Sequence, residues 1–142
     1  MSVKDLHPAL YAFLVADTTI AGLVANGVGK YHIYPNVLPA GVKATSIVYQ
    51  EISAPGDHHN EGPSGLARPR MQIAAWALTP PSARALAIAI KNYLDGYKGT
   101  MGSGGGAVTV KGAFFDDWRD VYDGTIEMHG KQADYFIWFD ER

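Results

Sequence analysis

The chain has 142 residues, no cysteine and a formal net charge of −2, from 12 basic and 14 acidic side chains. This length predicts one domain, residues 1–142, with a sizeable core. The absence of cysteine excludes disulfide scaffolds, thiolate metal sites and thiol catalysis. The nearly balanced charge does not indicate a basic surface for binding nucleic acid or an anionic membrane. No apolar run approaches the ~20 residues of a membrane span, and the N-terminus lacks a signal-peptide pattern, so we expect a cytoplasmic protein.

The composition is poor in charge and rich in aromatic rings. Charged side chains make up 18% of the chain, below the ~25% of typical proteins. Aromatic side chains are plentiful, with 8 Tyr, 5 Phe and 3 Trp. This combination is typical of the buried part of a protein–protein contact, so the composition favours a homo-oligomer.

Two helices are predicted near the N-terminus. Apolar residues repeat on one helical face over Asp5–Ala16, and the Asp5 side chain is placed to accept hydrogen bonds from the free amides of the first turn. Asp17 predicts the cap of a second, shorter helix, which ends at Asn26-Gly27 because both residues tolerate left-handed backbone angles. The apolar face of the first helix is formed by Leu6, Leu10, Phe13 and Leu14.

Extended segments and loops alternate in the next stretch. Tyr31–Tyr34 is short and stops at a proline, whereas Ser46–Ser53 is rich in β-branched and aromatic residues and predicts a full strand. Ala54–Ala67 contains glycine, proline and polar residues and predicts a loop of fourteen residues. A loop of that length is unusual inside a compact domain and is typical of a functional or mobile segment.

The most regular pattern in the chain is a strand followed by a helix. Arg70–Leu78 predicts the strand, and Thr79 with the two prolines after it predicts the start of the helix. The glycine-rich segment Thr100–Gly106 predicts a flexible linker within the domain. The face of the predicted helix carries one continuous apolar stripe, formed by Ala83, Leu86, Ala87, Ile90, Tyr93, Leu94 and Tyr97.

The C-terminal third predicts two extended segments around a turn. Ala107–Trp118 is extended with a kink at Gly112, and Arg119–Gly124 predicts a turn or a single helical turn. Ala133–Phe139 predicts a last strand that is apolar on both faces, which favours a central position or cover by a partner. The whole order predicts an α+β fold, a mostly antiparallel sheet with an N-terminal helix and one long amphipathic helix packed on one face.

The strongest catalytic candidate is Asp57-His58-His59 with Glu61, because imidazole and carboxylate groups bind zinc and related metals. These residues would serve a small metal-dependent hydrolase. Adjacent histidines point in different directions, however, and nothing in this polar segment holds the ligands rigid. We therefore favour loop histidines in solvent, or a protein contact through His58 and His59, and expect no metal.

The acidic cluster offers a second candidate. Asp116, Asp117, Asp120 and Asp123 surround Arg119, but they lack the spacing of a calcium loop. We expect a solvated acidic turn or a charged contact with a neighbouring subunit. The glycines of the predicted linker lack the Lys and the Ser or Thr of a phosphate-binding loop, so no catalytic residue and no cofactor is predicted.

A small basic group and three tryptophans complete the candidates. Arg68 and Arg70, with Arg84 nearby, are ordinary surface charge or a contact for an acidic patch of a partner. Trp76, Trp118 and Trp138 are interpreted as core residues, with interface anchors as the alternative. The candidate protein-contact residues are His58, His59, Arg68, Arg70, Asp116, Asp117, Arg119 and Asp120.

The order of these signals resembles the tail completion or tail terminator family of long-tailed bacteriophages, the tail-to-head joining proteins. The similarity begins with "ADTTIAGLVANGVGKYHIYPNVLPAGV" over Ala16–Val42 and continues with the strand "TSIVYQEIS". The strand and helix "RPRMQIAAWALTPPSARALAIAIKNYL" follow over Arg68–Leu94. After a glycine-rich gap, "DDWRDVYDGT" and "QADYFIWF" are similar to the family's acidic turn and closing strand.

The resemblance covers nearly the whole chain and implies a structural virion protein without catalytic residues. The expected assembly is a homo-oligomeric ring, commonly a hexamer, that caps the tail tube at the head-proximal end of the tail. Its expected partners are the tail tube protein and the head–tail connector or neck protein, with no sequence-specific nucleic acid and no membrane. The alternatives are another neck component, such as a head-closure or connector protein, the hydrolase described above, and a monomeric binding module.

Overall fold

The computed structural model describes residues 4–53, 58–59, 62–63 and 66–140. The helices of these residues are α1 (Leu6–Ala16), α2 (Thr18–Leu23) and α3 (Pro80–Leu94), with a 3₁₀ turn at Gly104–Gly106. Their strands are β1 (Ile33–Pro35), β2 (Ser46–Ser53), β3 (His58–His59), β4 (Gly62–Pro63), β5 (Leu66–Ala67), β6 (Arg70–Ala77), β7 (Gly99–Met101), β8 (Val108–Asp123) and β9 (Met128–Asp140). The predicted α+β class with a mostly antiparallel sheet is confirmed.

Side-chain caps fix where each helix begins, as the sequence predicts. An Asp5 carboxylate oxygen accepts from the His7 amide at 3.0 Å, and Asp17 accepts from the Ile20 amide at 3.1 Å. The Thr79 hydroxyl accepts from the Ser82 amide at the start of α3. Each cap satisfies an amide that has no partner inside the helix and stabilises it by about 1 kcal/mol.

The main sheet has the strand order β1-β2-β6-β9-β8-β7, and β5 pairs with β9 beside that path. The β1–β2 pair is parallel and the other pairs are antiparallel. The last strand is therefore central, as predicted, and it begins at Met128, earlier than the predicted start. A register shift between Val110 and Gly112 lies where the sequence predicts a kink, and a second shift follows between Phe115 and Asp117.

The predicted turn at Arg119–Gly124 is wrong, because β8 continues as a strand to Asp123. The β8–β9 ladder continues through the pairs Asp120–Lys131 and Tyr122–His129. This part of β8 carries polar residues because it lies at the rim of the sheet, where side chains of both faces reach solvent. Main-chain pairing with β9 therefore overrides the turn-like composition.

The predicted flexible linker at Thr100–Gly106 is also wrong in part. Gly99–Met101 forms β7 and pairs with Val108–Val110, and the last three glycines form the 3₁₀ turn. Gly102 permits this path because its φ is +85° and a Cβ there would lie 3.1 Å from the Ala9 Cα. Backbone hydrogen bonds need no side chains, so a glycine-rich segment can still be ordered.

The predicted loop Ala54–Ala67 lies largely outside the described residues. Of its described positions, His58–His59 pairs with Gly62–Pro63, and Leu66–Ala67 pairs with the end of β9. The end of this predicted loop therefore belongs to the main sheet.

The helices cover one side of the sheet, which we call the helix face, and the opposite side is the open face. On β9, Tyr135, Ile137 and Phe139 point to the helix face and are at most 4% exposed. The Phe13 ring of α1 stacks on Tyr93 of α3 with 4.2 Å between ring centroids. The residues that α3 buries are Ala83, Leu86, Ala87, Ile90 and Leu94.

The largest fully buried side chain of the described core carries a hydroxyl. The Tyr135 hydroxyl has no hydrogen-bond partner among the described residues. Burial, with a smaller contribution from the charge of Asp95, raises the pKa of Tyr135 far above its usual value. This hydroxyl lowers the stability of the core, since a buried polar group without a partner costs free energy.

We expect Tyr135→Phe to keep or raise the free energy of unfolding at pH 7, by up to ~1 kcal/mol, because it removes this hydroxyl. The substitution also changes the response to alkali. Above about pH 10 the unfolded tyrosine ionises while the native one stays protonated, so the native state loses up to ~1.4 kcal/mol per pH unit. Denaturant unfolding between pH 7 and pH 11 measures both effects.

The exposed Tyr122, whose side chain is 57% accessible, provides the control Tyr122→Phe. We expect this control to leave the unfolding free energy and its alkaline decline unchanged. A Tyr135→Phe variant that is markedly less stable at pH 7 would show that the hydroxyl is bonded in solution.

Candidate interaction surface

An ion-pair network on the open face connects three strands of the sheet. Arg70 of β6 lies 2.8 Å from Asp134 of β9 and 2.8 Å from Asp116 of β8. Arg119 of β8 also approaches Asp134, at 3.6 Å. The Asp134 side chain is 8% exposed, so its carboxylate depends on the two arginines for compensation of its charge.

The second register shift of β8 makes this network possible. It places an extra residue, Asp116, between the paired positions Phe115 and Asp117, and so turns the Asp116 carboxylate towards Arg70. The hydrogen bond to Asp134 raises the pKa of Arg70. Arg70 and Asp116 are therefore paired within one chain, and their positions fix the register of three strands.

An aromatic surface adjoins this network. We call Arg68, Phe114, Phe136 and Trp138 the aromatic–arginine patch; with Ser53 they line a shallow hollow of about 370 Å³. The Arg68 guanidinium lies 5.4 Å from the Trp138 ring centroid, and the Phe114 side chain is 52% exposed. In the part of the chain that the structure describes, Arg68 has no ion pair, and its Nε is buried without a partner.

A glycine brings the Phe114 ring down onto the sheet. A Cβ at Gly112 would lie 2.7 Å from the Phe114 ring, so the ring occupies the space where a side chain would be. The patch is therefore a shallow surface of aromatic rings, with Arg68 beside the Trp138 ring and Arg70 beside the Phe136 ring. Trp, Phe and Arg on such a surface are typical of the residues that dominate binding energy in protein contacts.

The other end of the open face is covered by the chain itself. Lys43 donates to the Ile126 carbonyl in the β8–β9 turn, which draws the segment after β1 across the sheet. Gln50 donates to Gln72 at 2.7 Å beneath this cover. The aromatic–arginine patch is thus an accessible part of the open face away from this cover.

The predicted acidic cluster is divided between different partners. The Asp117 side chain accepts from the Trp118 amide at 2.8 Å, and Asp120 pairs with Lys131 at 3.1 Å on the helix face. Asp123 accepts from the Thr125 amide in the turn. The expected turn is therefore a strand, although Asp116, Asp117 and Asp120 are exposed, as expected of solvated side chains. Among the described residues no group of three or more His, Asp or Glu side chains is arranged to hold a metal.

The interpretation as core residues holds for one of the three tryptophans, since Trp118 packs against the core cluster while Trp76 and Trp138 lie on the open face. Trp76, Trp118 and Trp138 are all partly exposed, and each lies against another group. Trp76 covers Gly130, where a Cβ would lie 2.8 Å from its ring. Trp118 lies under the Lys131 ammonium at 4.6 Å. The positions of Trp76 and Trp138 agree with the alternative of anchors near a surface.

Sequence reasoning missed Phe114, Phe136 and Asp134. Phe136 and Asp134 alternate along β9 with the core residues between them, and this two-residue period was the available signal. Among the described residues, His58 and His59 pair with Gly62–Pro63 in the short β3–β4 pair.

Comparison with known proteins gives a family and a fold. The family model described as Tail completion protein gp17 matches residues 8–140. A chain in a solved structure titled "Virion of native gene transfer agent (GTA) particle" is similar over 95% of this chain and 94% of its own, with a TM-score of 0.73 and 20% identity. No curated protein matches the sequence. None of the helices in the described ranges is long and apolar enough to cross a membrane.

We expect Asp134→Asn to lower the free energy of unfolding by ~1–2 kcal/mol, because two arginines lose the carboxylate that they share. The matched control on the same strand is Asp140→Asn. Asp140 pairs with Lys111 at 3.5 Å, and both side chains are about half exposed, so the control should cost less than ~0.5 kcal/mol. Urea unfolding of both variants makes the comparison, and equal losses would contradict a special role for Asp134.

Proposed function

The chain belongs to the Tail completion protein gp17 family and is a structural tail protein, and from this premise we propose that it is a tail terminator. In this proposal residues 1–142 act as one domain, and copies of it form a closed ring, most simply a hexamer. The ring adds to the last ring of the tail tube and stops its growth. Its opposite side binds the connector or neck protein of the head.

The observation that carries the proposal is the aromatic–arginine patch. It exposes apolar surface next to Arg68, a cation without an ion pair among the described residues, which is costly for an isolated subunit and useful at a contact. A neighbouring subunit that supplies a carboxylate to Arg68 and an apolar group to the Trp138 ring would cover it. Because the patch must meet a different surface of that neighbour, the contact is heterologous and can close a ring.

The proposed action is stoichiometric binding. A tube grows because each ring presents a face that accepts the next ring. A terminator binds that face and offers no equivalent face in return, so growth stops without a chemical step. No catalytic group, metal or cofactor enters this account.

The partners and location follow from the same proposal. They are the chain itself, the tail tube protein and the head–tail connector, at the head-proximal end of the tail after assembly in the host cytoplasm. The fold likeness to a chain of a gene transfer agent virion supports a place among other virion proteins. Membership of the family does not favour a hydrolase that uses His58 and His59. The alternative to a tail terminator is another neck component, with a head-closure or connector role.

Removing the protein from an assembling phage tests the function. We expect filled heads without attached tails, together with tubes of irregular length, because nothing stops the tube or offers a surface to the head. Negative-stain electron micrographs give the tail lengths and the fraction of joined particles. Tails of normal length joined to heads would overturn the terminator assignment.

Charge reversal at the patch tests the proposed contact. We expect Arg68→Glu to reduce joined particles at least about tenfold while thermal unfolding stays nearly unchanged, because Arg68 has no ion pair in the described part of its own chain. The exposed Lys98, changed to Glu, is the control for altered net charge. Arg70 is unsuitable, since it is bonded to Asp134 and its loss would disturb folding. Normal assembly of particles that carry Arg68→Glu would show that the patch is not part of the contact.

A further inference from the structure

The outer edge of β8 is uncovered over its second half. The short strand β7 pairs with Val108–Val110 alone. Beyond it, the Ala113 amide donates to the Tyr97 carbonyl at 3.0 Å, and the Phe115 amide donates to Asp95 at 2.9 Å. In the described ranges, no strand or loop pairs with this edge after Phe115.

The pattern of hydrogen bonds shows which groups face outward. The Trp118 amide donates to the Asp117 side chain, so it points away from β9. Along an antiparallel strand, the amides of successive residues point alternately towards one neighbouring strand and away from it. The amides of Asp120 and Tyr122 therefore also point away from β9. The amides of Arg119 and Val121 face β9. Both Asp120 and Tyr122 are exposed, and neither amide has a partner among the described residues.

The space beside this edge can take the side chains of another strand. A groove of about 310 Å³ separates it from the start of α3 and is lined in part by Ala83, Arg84 and Tyr122. The Tyr122 ring lies against His129 with 4.8 Å between centroids, which leaves the groove open above it. The strand at the opposite end of the main sheet is β1. Because β1 has three residues and ends in Pro35, its edge cannot accept a strand in the same way.

We propose that this edge pairs with the same edge of a second copy of the chain. The two β8 strands run antiparallel about a two-fold axis at Val121, with the open faces of both copies on the same side. Asp120 of each copy then stands opposite Tyr122 of the other, and each such pair exchanges both of its main-chain hydrogen bonds. On the open face, Arg119 of each copy stands opposite Asp123 of the other, which gives two pairs of opposite charge.

Charge selects this register over its neighbours. Moving the axis to Asp120 places the two Asp120 side chains opposite each other, and moving it to Arg119 does the same for the two arginines. Like charges directly opposite in a sheet are destabilising, whereas the Arg119–Asp123 pairs are favourable. The contact is isologous, so it is distinct from the heterologous ring contact proposed above and does not depend on it.

Charge reversal in the purified full-length chain tests the pairing at Asp123, because Arg119 also compensates the buried Asp134. Sedimentation equilibrium should show a dimer of the wild-type chain. We expect Asp123→Arg to weaken it about tenfold, because it places an arginine opposite Arg119 of the other copy, and the conservative Asp123→Glu to keep it within about threefold. Arg68→Glu, which alters the aromatic–arginine patch, should leave this dimer unchanged.

A second pair of variants tests the main-chain bonds. Tyr122→Pro removes the outward amide at an edge position that tolerates proline, whereas Tyr122→Ala removes the side chain and keeps the amide. We expect the dimer to be lost with Tyr122→Pro and kept with Tyr122→Ala. Equal loss in both would show a side-chain contact and overturn strand pairing.

Hydrogen exchange of the backbone amides in the wild-type chain tests the proposal independently, even if a variant unfolds. Raising the protein concentration should slow exchange at Asp120 and Tyr122 and leave Arg119 and Val121, which already bond to β9, unchanged. A chain that stays monomeric throughout, a larger oligomer that is insensitive to Asp123→Arg, or a dimer that Asp123→Arg leaves intact would each overturn the proposal.

Discussion

The carboxylate of Asp134 is the group on which the open face of the sheet depends. It is almost fully buried on the central strand β9, and it is compensated by Arg70 from one neighbouring strand and Arg119 from the other. A buried carboxylate is tolerated when its charge is balanced, so this requirement fixes the register of three strands at one point. The bulge that turns Asp116 towards Arg70 completes the network.

The network also determines which arginines of the open face are left for contacts with other subunits. Arg70 and Asp116 are paired within the subunit, and Arg70 also lies over the Phe136 ring. Arg68 lies beside the Trp138 ring and has no ion pair among the described residues. The rings of the patch lie on the paired strands β8 and β9, so they are held rigidly and need little ordering when a partner binds, while Arg68 lies in the short connection between β5 and β6. This rigidity suits a ring subunit, because small errors of angle between subunits would prevent closure.

Local signals in the sequence predict much of this fold, and contacts between distant residues account for what they miss. The caps Asp5 and Asp17, the helix start at Thr79, the strand Ser46–Ser53 and the kink at Gly112 each depend on neighbouring residues, and all are confirmed. The second half of β8 was missed because an edge strand is partly solvated on both faces and loses the two-residue hydrophobic period. Likewise, no local pattern reveals that Arg70 meets Asp134, since the pairing of β6 with β9 brings them together.

The central claim is that this subunit sits in a ring at the head-proximal end of a tail, with the aromatic–arginine patch buried between neighbours. A cryo-electron microscopy map of the head–tail junction in intact virions measures this directly. The account predicts one closed ring of this chain between the tube and the connector, with Arg68 and Trp138 covered by the adjacent copy. A chain located elsewhere in the particle, or a ring that leaves the patch facing solvent, would contradict it.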